Sequence, residues 1–403
     1  MHYDLIVCGA GPAGAIAALT AARAGLNVAL IEKYPLPRRK TCGGGVPVLG
    51  NSLLQDLVPE AFVEADVTYL RHTWKFAEAV VAPINPGTLQ RPLSIWMVQR
   101  SIFDQALVKK AVEAGVAMRD GLAVKSVQVE GDRVTVRARS FFVPESTRES
   151  EFVATANYAI GADGANGVTA QATGLRQKRL IAIAMELELP HEWGTGHPDL
   201  RPEVAHLEYG AVPHGYAWIF PKGEHLNIGA GVFSPRHADA RRERKIPGQL
   251  KQAILDYVKA MQLPPPSEQL LFHAHPLPIW QGREPVNTAD GRILLVGDAA
   301  GLINPFFGDG ILHALKSGHI AAQAIVEDCS RDYSDRIHAE FGDSFDAALR
   351  LAQFFYQHTG ICYRFGVKNE RATVTAAQLL TGELQYHEIA GRVLDRLKSH
   401  LLG

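Results

Sequence analysis

The sequence is poor in cysteine and has no excess of either charge. Its four cysteines, Cys8, Cys42, Cys329 and Cys362, lie far apart and form no C-x-x-C pair. That spacing argues against a disulfide framework and a cysteine-based zinc site, and suits a reducing compartment. Lysine and arginine total 41 against 42 aspartates and glutamates, a net charge of -1. The basic footprint of a nucleic-acid binder is therefore missing. No run of 18 uncharged apolar residues occurs, and the first apolar stretch contains Asp4 with no basic segment before it. Neither a membrane span nor an export signal is expected, and a cytoplasmic location follows. Repeats and low-complexity segments are absent as well. Hydrophobic residues at 47% and charged residues at 21% exclude a disordered chain, and 403 residues exceed one small domain.

What is present begins with a βαβ pattern. Tyr3 to Cys8 reads as a buried strand, Gly11 to Ala24 as a small-residue helix and Val28 to Ile31 as a second strand. Between strand and helix lies Gly9-Ala10-Gly11-Pro12-Ala13-Gly14, and Glu32 ends the second strand. These are the positions of a dinucleotide fingerprint: Gly9 for the tight turn, Gly11 for close approach of a pyrophosphate, Gly14 for helix–strand packing and Glu32 for ribose hydroxyls. An acid at that position disfavours a 2′-phosphate and points to FAD or NAD rather than NADP.

Further on, a basic, Gly-rich segment runs from Arg38 to Gly45 and is expected to be irregular. Ser101 to Ala114 is helical, Val124 to Ala138 is a hairpin, and Tyr158 to Ile160 is a strand ending in Gly161-Ala162-Asp163-Gly164. Residues 175 to 285 read as an antiparallel sheet, Arg292 to Val296 as a returning parallel strand, Ile311 to Glu327 as a helix and residues 331 to 403 as mostly helical.

Gly161-Ala162-Asp163-Gly164 and Gly297-Asp298-Ala299-Ala300-Gly301 resemble the second and third FAD motifs of the para-hydroxybenzoate hydroxylase-like flavoproteins. Within that group, Lys40-Thr41-Cys42-Gly43-Gly44-Gly45 and Tyr216-Ala217-Trp218-Ile219-Phe220-Pro221-Lys222, followed by Asn227-Ile228-Gly229-Ala230-Gly231, resemble the geranylgeranyl reductase family. The resemblance covers residues 1 to about 325. It implies an α/β fold with a Rossmann-type FAD-binding domain of residues 1–65, 98–172 and 290–330, an inserted antiparallel substrate-binding sheet of residues 66–97 and 173–289, and a helical C-terminal region, 331–403.

By the same resemblance Asp298 binds the ribityl or pyrophosphate part of FAD, Arg100 lies near its phosphate, and Gly308-Asp309-Gly310-Ile311 opens a helix towards the flavin. The implied cofactor-facing set is Gly9, Gly11, Pro12, Ala13, Gly14, Glu32, Lys33, Arg39, Cys42, Gly43, Arg100, Asp163, Asp298, Gly308, Gly310 and Ile311. The implied activity is FAD-dependent saturation of C=C bonds in a geranylgeranyl or other prenyl chain on a lipid, pigment precursor or diphosphate. NADPH or another electron donor would be the reductant, and a peripheral membrane contact would give access to the chain. An FAD monooxygenase or halogenase of the same fold is the alternative; Trp218 and Pro221 also match two positions of the halogenase W-x-W-x-I-P motif, from which Tyr216 and Phe220 depart.

Tyr216, Trp218 and Phe220 alternate along one strand and share a face, with Pro221 at its end, which suits either an isoprenoid-binding wall or an aromatic core. The resemblance places the Cys42 loop beside the isoalloxazine, where the thiol is either a proton donor or a small buried hydrophobe. His273 and His275 share a strand face with no further ligand nearby in the sequence, so no metal is expected. Arg38, Arg39 and Lys40 are candidates for cofactor phosphates, and the basic run Arg236 to Lys245 reads as a solvated helix face. Phe354 to Phe365, flanked by Arg350 and Arg364, is either an amphipathic lip or an internal helix.

Overall fold

The computed structural model describes residues 1–47, 52–54, 57, 59–85, 93–142, 151–176, 179–233, 245–267 and 269–402. Strand His2–Cys8 pairs in parallel with Val28–Ile31 on one side and Glu151–Gly161 on the other. Ala117–Arg119 adds beyond Val28–Ile31, and Ile293–Leu295 beyond Glu151–Gly161. The parallel order is thus third, second, first, fourth, fifth along the chain, the Rossmann arrangement. Val28–Ile31 and Ile293–Leu295 are buried throughout, as strands in the middle of an α/β sandwich must be.

Helix Pro12–Arg23 packs between Arg100–Glu113 and Ile311–Val326. It has neighbours on several sides, so its small residues are buried almost all round rather than along one stripe. A hairpin of Leu122–Glu130 and Arg133–Ser140, turned at Gly131 with φ +65°, pairs antiparallel with Glu151–Ala156. That pairing explains why the strand expected only over Tyr158–Ile160 runs from Glu151: the hairpin supplies backbone partners for its less buried first half.

The second sheet has the order His273–Ile279, Leu180–Pro190, His225–Val232, Gly215–Pro221, Val204–Tyr209, Tyr69–Trp74, Ala77–Pro83. All neighbours are antiparallel except Val204–Tyr209 with Tyr69–Trp74. One face is covered by helix Ile246–Ala260 through Leu250, Ala253, Ile254, Tyr257 and Val258. The sequence reading has an antiparallel sheet over 175–285, with a helix face only at Arg236 to Lys245, and does not extend a helix over 246–260; the helical spacing is present but sits among Lys, Gln and Asp. The other face presents Tyr209, Tyr216 and Trp218 to the C-terminal helix Asp343–Gln357.

A small third sheet joins Gly45–Pro47, Ile95–Val98 and Val63–Val67, so Gly45, expected to be irregular, starts a strand opposite Met97. Beyond Asp343–Gln357 the chain forms helices Glu370–Thr381 and Tyr386–Leu402. Among the described residues no helix is long and apolar enough to cross a membrane.

Candidate active site

The Gly9–Gly14 turn divides its glycines by task. Gly9 has φ +108°, and a side chain there would run into the backbone of Ala162. A side chain on Gly14 would collide with the carbonyl of Gly9. Gly11 differs: a Cβ would meet only Arg38 Nη2 at 3.8 Å and Arg100 Nη2 at 3.9 Å. The ground before the helix that starts at Pro12 is open, flanked by two guanidinium groups, and no side chain caps that helix. Free N–H groups at a helix start and two arginines are the donors an anionic pyrophosphate needs.

Both arginines are held in place. Arg100 forks onto Asp104, Nε to Oδ1 at 2.7 Å and Nη2 to Oδ2 at 2.9 Å. Arg38 reaches Asp104 Oδ2 at 3.1 Å and Glu32 Oε1 at 3.2 Å. Glu32 also accepts the Ala10 N–H at 2.9 Å and the Tyr34 N–H at 3.2 Å. Burial of Asp104 and Glu32 fixes the guanidinium orientations.

Asp163 accepts the Thr169 N–H at 2.9 Å and its hydroxyl at 2.8 Å, and burial pushes its carboxyl up. It ties down the segment behind Gly9. Asp298 lies on the turn Gly297–Ala300 and faces Gly310, where a Cβ would stand 3.7 Å from its Oδ1. Gly308, at φ +73°, and Gly310 lead into Ile311–Val326, which again has no side-chain cap. Across from Asp298, His275 Nε2 is 4.0 Å from its Oδ2 and 2.5 Å from Lys40 Nζ.

The Cys42–Gly44 loop joins these groups to the aromatic strand. Cys42 donates its N–H to Glu186 Oε1 at 2.9 Å, and its sulfur accepts the Gly44 N–H at 3.4 Å. The buried ammonium of Lys222 donates to the Gly43 carbonyl at 2.8 Å and the Val98 carbonyl at 2.9 Å. Burial pushes Lys222 down to about 8. A Cβ on Gly43 would lie 2.8 Å from the Phe220 ring and 3.5 Å from Trp218 Nε1, so only glycine lets the loop lie on that strand.

Trp218 donates its indole N–H to Asn227 Oδ1 at 2.9 Å. Its ring is 5.9 Å from both Tyr216 and Phe220. Tyr216 and Tyr356 donate their hydroxyls to the carbonyls of Phe307 and Phe306, each at 2.5 Å. Pro221 is buried at the strand end.

Two residues of the implied cofactor set make contacts outside the Gly11 cradle. Lys33 sits over the Tyr34 and Phe141 rings at 5.0 and 4.7 Å, and half-exposed Arg39 pairs with Glu188 at 3.1 Å. The chain after Pro37 turns Arg38 inward and Arg39 outward, so Arg38 lines the cradle. Asp104, Glu186 and Lys222 were not assigned roles from sequence. The signals were Asp104 four residues after Arg100, and Lys222 closing the aromatic motif. Residues 236–244 of the basic run lie outside the described residues. In the segment 354–365, Phe355, Tyr356 and Tyr363 are buried in the aromatic cluster, while Phe365 is 41% exposed. A cavity of about 390 Å³ lies there, its walls including Trp74, His358, Gly360, Ile361, Tyr363 and Phe365.

The family described as FAD binding domain matches residues 2–336. A digeranylgeranylglycerophospholipid reductase of Methanosarcina acetivorans is 30% identical over 344 residues, covering 81% of this chain and 75% of that one. The chain belongs to the geranylgeranyl reductase family of FAD-dependent flavoproteins. A second relative, digeranylgeranylglycerophospholipid reductase 1 of Methanopyrus kandleri, is 28% identical over 386 residues, 88% of this chain and 90% of that one. A geranylgeranyl bacteriochlorophyll reductase-like structure from Thermoplasma acidophilum shares the fold, with a TM-score of 0.74 and 21% identity over 98% of this chain and 96% of that one. The residues present fit the FAD of a geranylgeranyl reductase-family protein: the open ground at Gly11 between Arg38 and Arg100 suits the pyrophosphate, and two uncapped helix starts offer donors.

Proposed function

We propose that this protein is an FAD-dependent reductase that saturates carbon–carbon double bonds of a geranylgeranyl or similar prenyl chain carried on a lipid, pigment precursor or diphosphate. The observation that carries this reading is a row of aromatic rings leading from the cavity at Trp74 to the Cys42 loop. Trp74 is 5.9 Å from Tyr363, Tyr363 5.9 Å from Tyr209, and Tyr209 6.4 Å from Tyr216. Trp218 and Phe220 continue the row to Gly43. An isoprenoid gains about 0.8 kcal/mol for each methylene taken from water, and the row supplies that apolar surface once the chain displaces contacts the buried rings now make with one another.

Bound FAD, in its reduced form, supplies a hydride to one carbon of the double bond. The residues of the chain bind, align and keep out water. Gly9, Gly11 and Gly14, with Arg38 and Arg100, hold the diphosphate; Asp298, Gly308 and Gly310 face the inner half of the cofactor site. Lys222 fixes the Cys42–Gly44 loop against both halves. An isolated alkene has no carbonyl on which charge can develop, so alignment and a nearby acid carry most of the rate. Cys42 is one such acid, set at the junction. NADPH is the proposed reductant, and the side of the molecule near Phe365 is the proposed point of contact with a bilayer.

The test is anaerobic. Photoreduced holoenzyme mixed with a geranylgeranyl lipid or geranylgeranyl diphosphate should reoxidise and yield a product heavier by two hydrogens for each bond. Reoxidation only by oxygen, with oxygen incorporated or a halide transferred to product, would put the protein among the monooxygenases or halogenases.

A further inference from the structure

The contact between Lys40 and His275 joins two basic nitrogens from residues 235 positions apart, one in the glycine-rich loop and one on the strand His273–Ile279. Their separation of 2.5 Å leaves room for one proton between them. Two protonated nitrogens at that distance would repel strongly in a half-buried setting. Lys40 feels the charges of Asp298, Arg100 and Arg38. His275 feels Lys40, Asp298 and Arg100, and opposite it on the neighbouring strand is uncharged Ala184. Asp298 favours keeping a proton here; the two arginines oppose it.

We infer that Lys40 and His275 are the proton-holding pair of this site, Lys40 giving up a proton from Nζ to the double bond and His275 Nε2 accepting the hydrogen bond that holds Nζ in place. This rests on the alkene reductase reading. Saturating one bond takes a hydride from the reduced cofactor and a proton at the adjacent carbon. The Nζ–H bond breaks as that C–H bond forms, leaving a neutral amine. The amine is then reprotonated from solvent, which reaches this pair, so the net proton comes from water and no further oxidant or reductant is consumed.

The surroundings suit each part. Burial lowers Lys40 below the ordinary lysine value, so its ammonium releases a proton more readily than a surface lysine. Burial first, and the Lys40 charge second, lower His275 to about 4, which leaves its ring neutral and able to accept at physiological pH. The His275 side chain is 19% exposed, enough for water to reach it. Lys40 is the proposed catalytic residue and His275 the positioning residue behind it.

Two measurements decide this. The first needs no substrate: nitrogen-labelled holoenzyme is titrated by NMR. His275 should titrate near 4 in the wild type and higher in Lys40→Met, because the competing cation is gone while the burial stays. A His275 that titrates near its ordinary 6.5 in both proteins would remove the pair.

The second measurement separates the half-reactions. Lys40→Met and His275→Gln should slow reoxidation of reduced flavin by a prenyl alkene about tenfold or more while leaving flavin reduction near normal. Lys40→Arg keeps the charge but holds its proton, and should be as slow as Lys40→Met. Full rescue by arginine would show a purely electrostatic tether and overturn the inference. If no prenyl alkene reoxidises even the wild type, the reductase reading fails and the substrate role of the pair with it; the NMR shift still decides whether Lys40 and His275 are coupled.

Discussion

Gly11 and Gly14 look interchangeable in a G-x-G-x-x-G motif, yet their surroundings separate them. Around Gly11 the nearest atoms are guanidinium nitrogens at 3.8 and 3.9 Å, an ordinary contact distance for a methyl group. Around Gly14 a methyl group would overlap the Gly9 carbonyl, and Ala162 Cβ would be 3.0 Å away. Gly11→Ala should therefore fold with nearly wild-type stability and lose FAD, since the methyl group occupies ground the pyrophosphate needs. Gly14→Ala should lose about 1–3 kcal/mol of stability through forced separation of helix and strand. Denaturant titration and flavin content of the two variants check this. An apoprotein of Gly11→Ala as unstable as Gly14→Ala, or full FAD content in Gly11→Ala, would contradict it.

At the scale of elements, the Cys42–Gly44 loop is held by the strand ending at Pro221, through one ammonium. Lys222 donates to Gly43 and Val98 carbonyls and so fastens loop, third sheet and aromatic strand together. Lys222→Met keeps the stem volume but strands two carbonyls, at a cost of about 1–3 kcal/mol for each that stays dry. Faster FAD release and faster alkylation of Cys42 should accompany the loss, because the loop gains freedom. Unchanged stability with unchanged Cys42 reactivity would mean that the loop is held by its other contacts, the Cys42 N–H on Glu186 and Gly43 against Phe220. The aromatic segment 354–365 has a comparable dual placement. Phe355 packs against Tyr209 and Phe306 while Phe365 is 41% exposed, so substitutions at Phe355 disturb the core before any surface.

The whole molecule carries a pH dependence where sheet and C-terminal helices meet. Buried His72, on strand Tyr69–Trp74, is 3.1 Å from the Thr373 hydroxyl of helix Glu370–Thr381, and burial lowers it from 6.5 to about 4. Between those values the unfolded chain binds a proton that the native chain does not. Native stability therefore falls as pH drops through that window, by about 1.4 kcal/mol per pH unit for this residue. Buried Asp163, Glu186 and Glu208, raised by desolvation, act with the opposite sign. Comparison with His72→Gln cancels their share. The stability difference, wild type minus variant, should shrink between pH 6.5 and 4, the window His72 spans. A pH-independent difference would show that His72 is not held neutral.

The sequence by itself determined what depends on neighbours in the chain. The fingerprint glycines, Glu32, the glycine-rich loop and the alternating aromatics report turn geometry and side-chain period, which are local properties. Tertiary structure alone decided which members of those motifs meet. It turned Arg38 rather than Arg39 towards Gly11, laid Gly43 on Phe220 and brought Lys40 to His275. The same holds for the length of strand Glu151–Gly161, whose first half exists because a hairpin pairs with it. A period of two or 3.6 residues tells which face a side chain occupies, but the partner across that face comes from a distant segment whose approach is fixed only by packing of the complete chain.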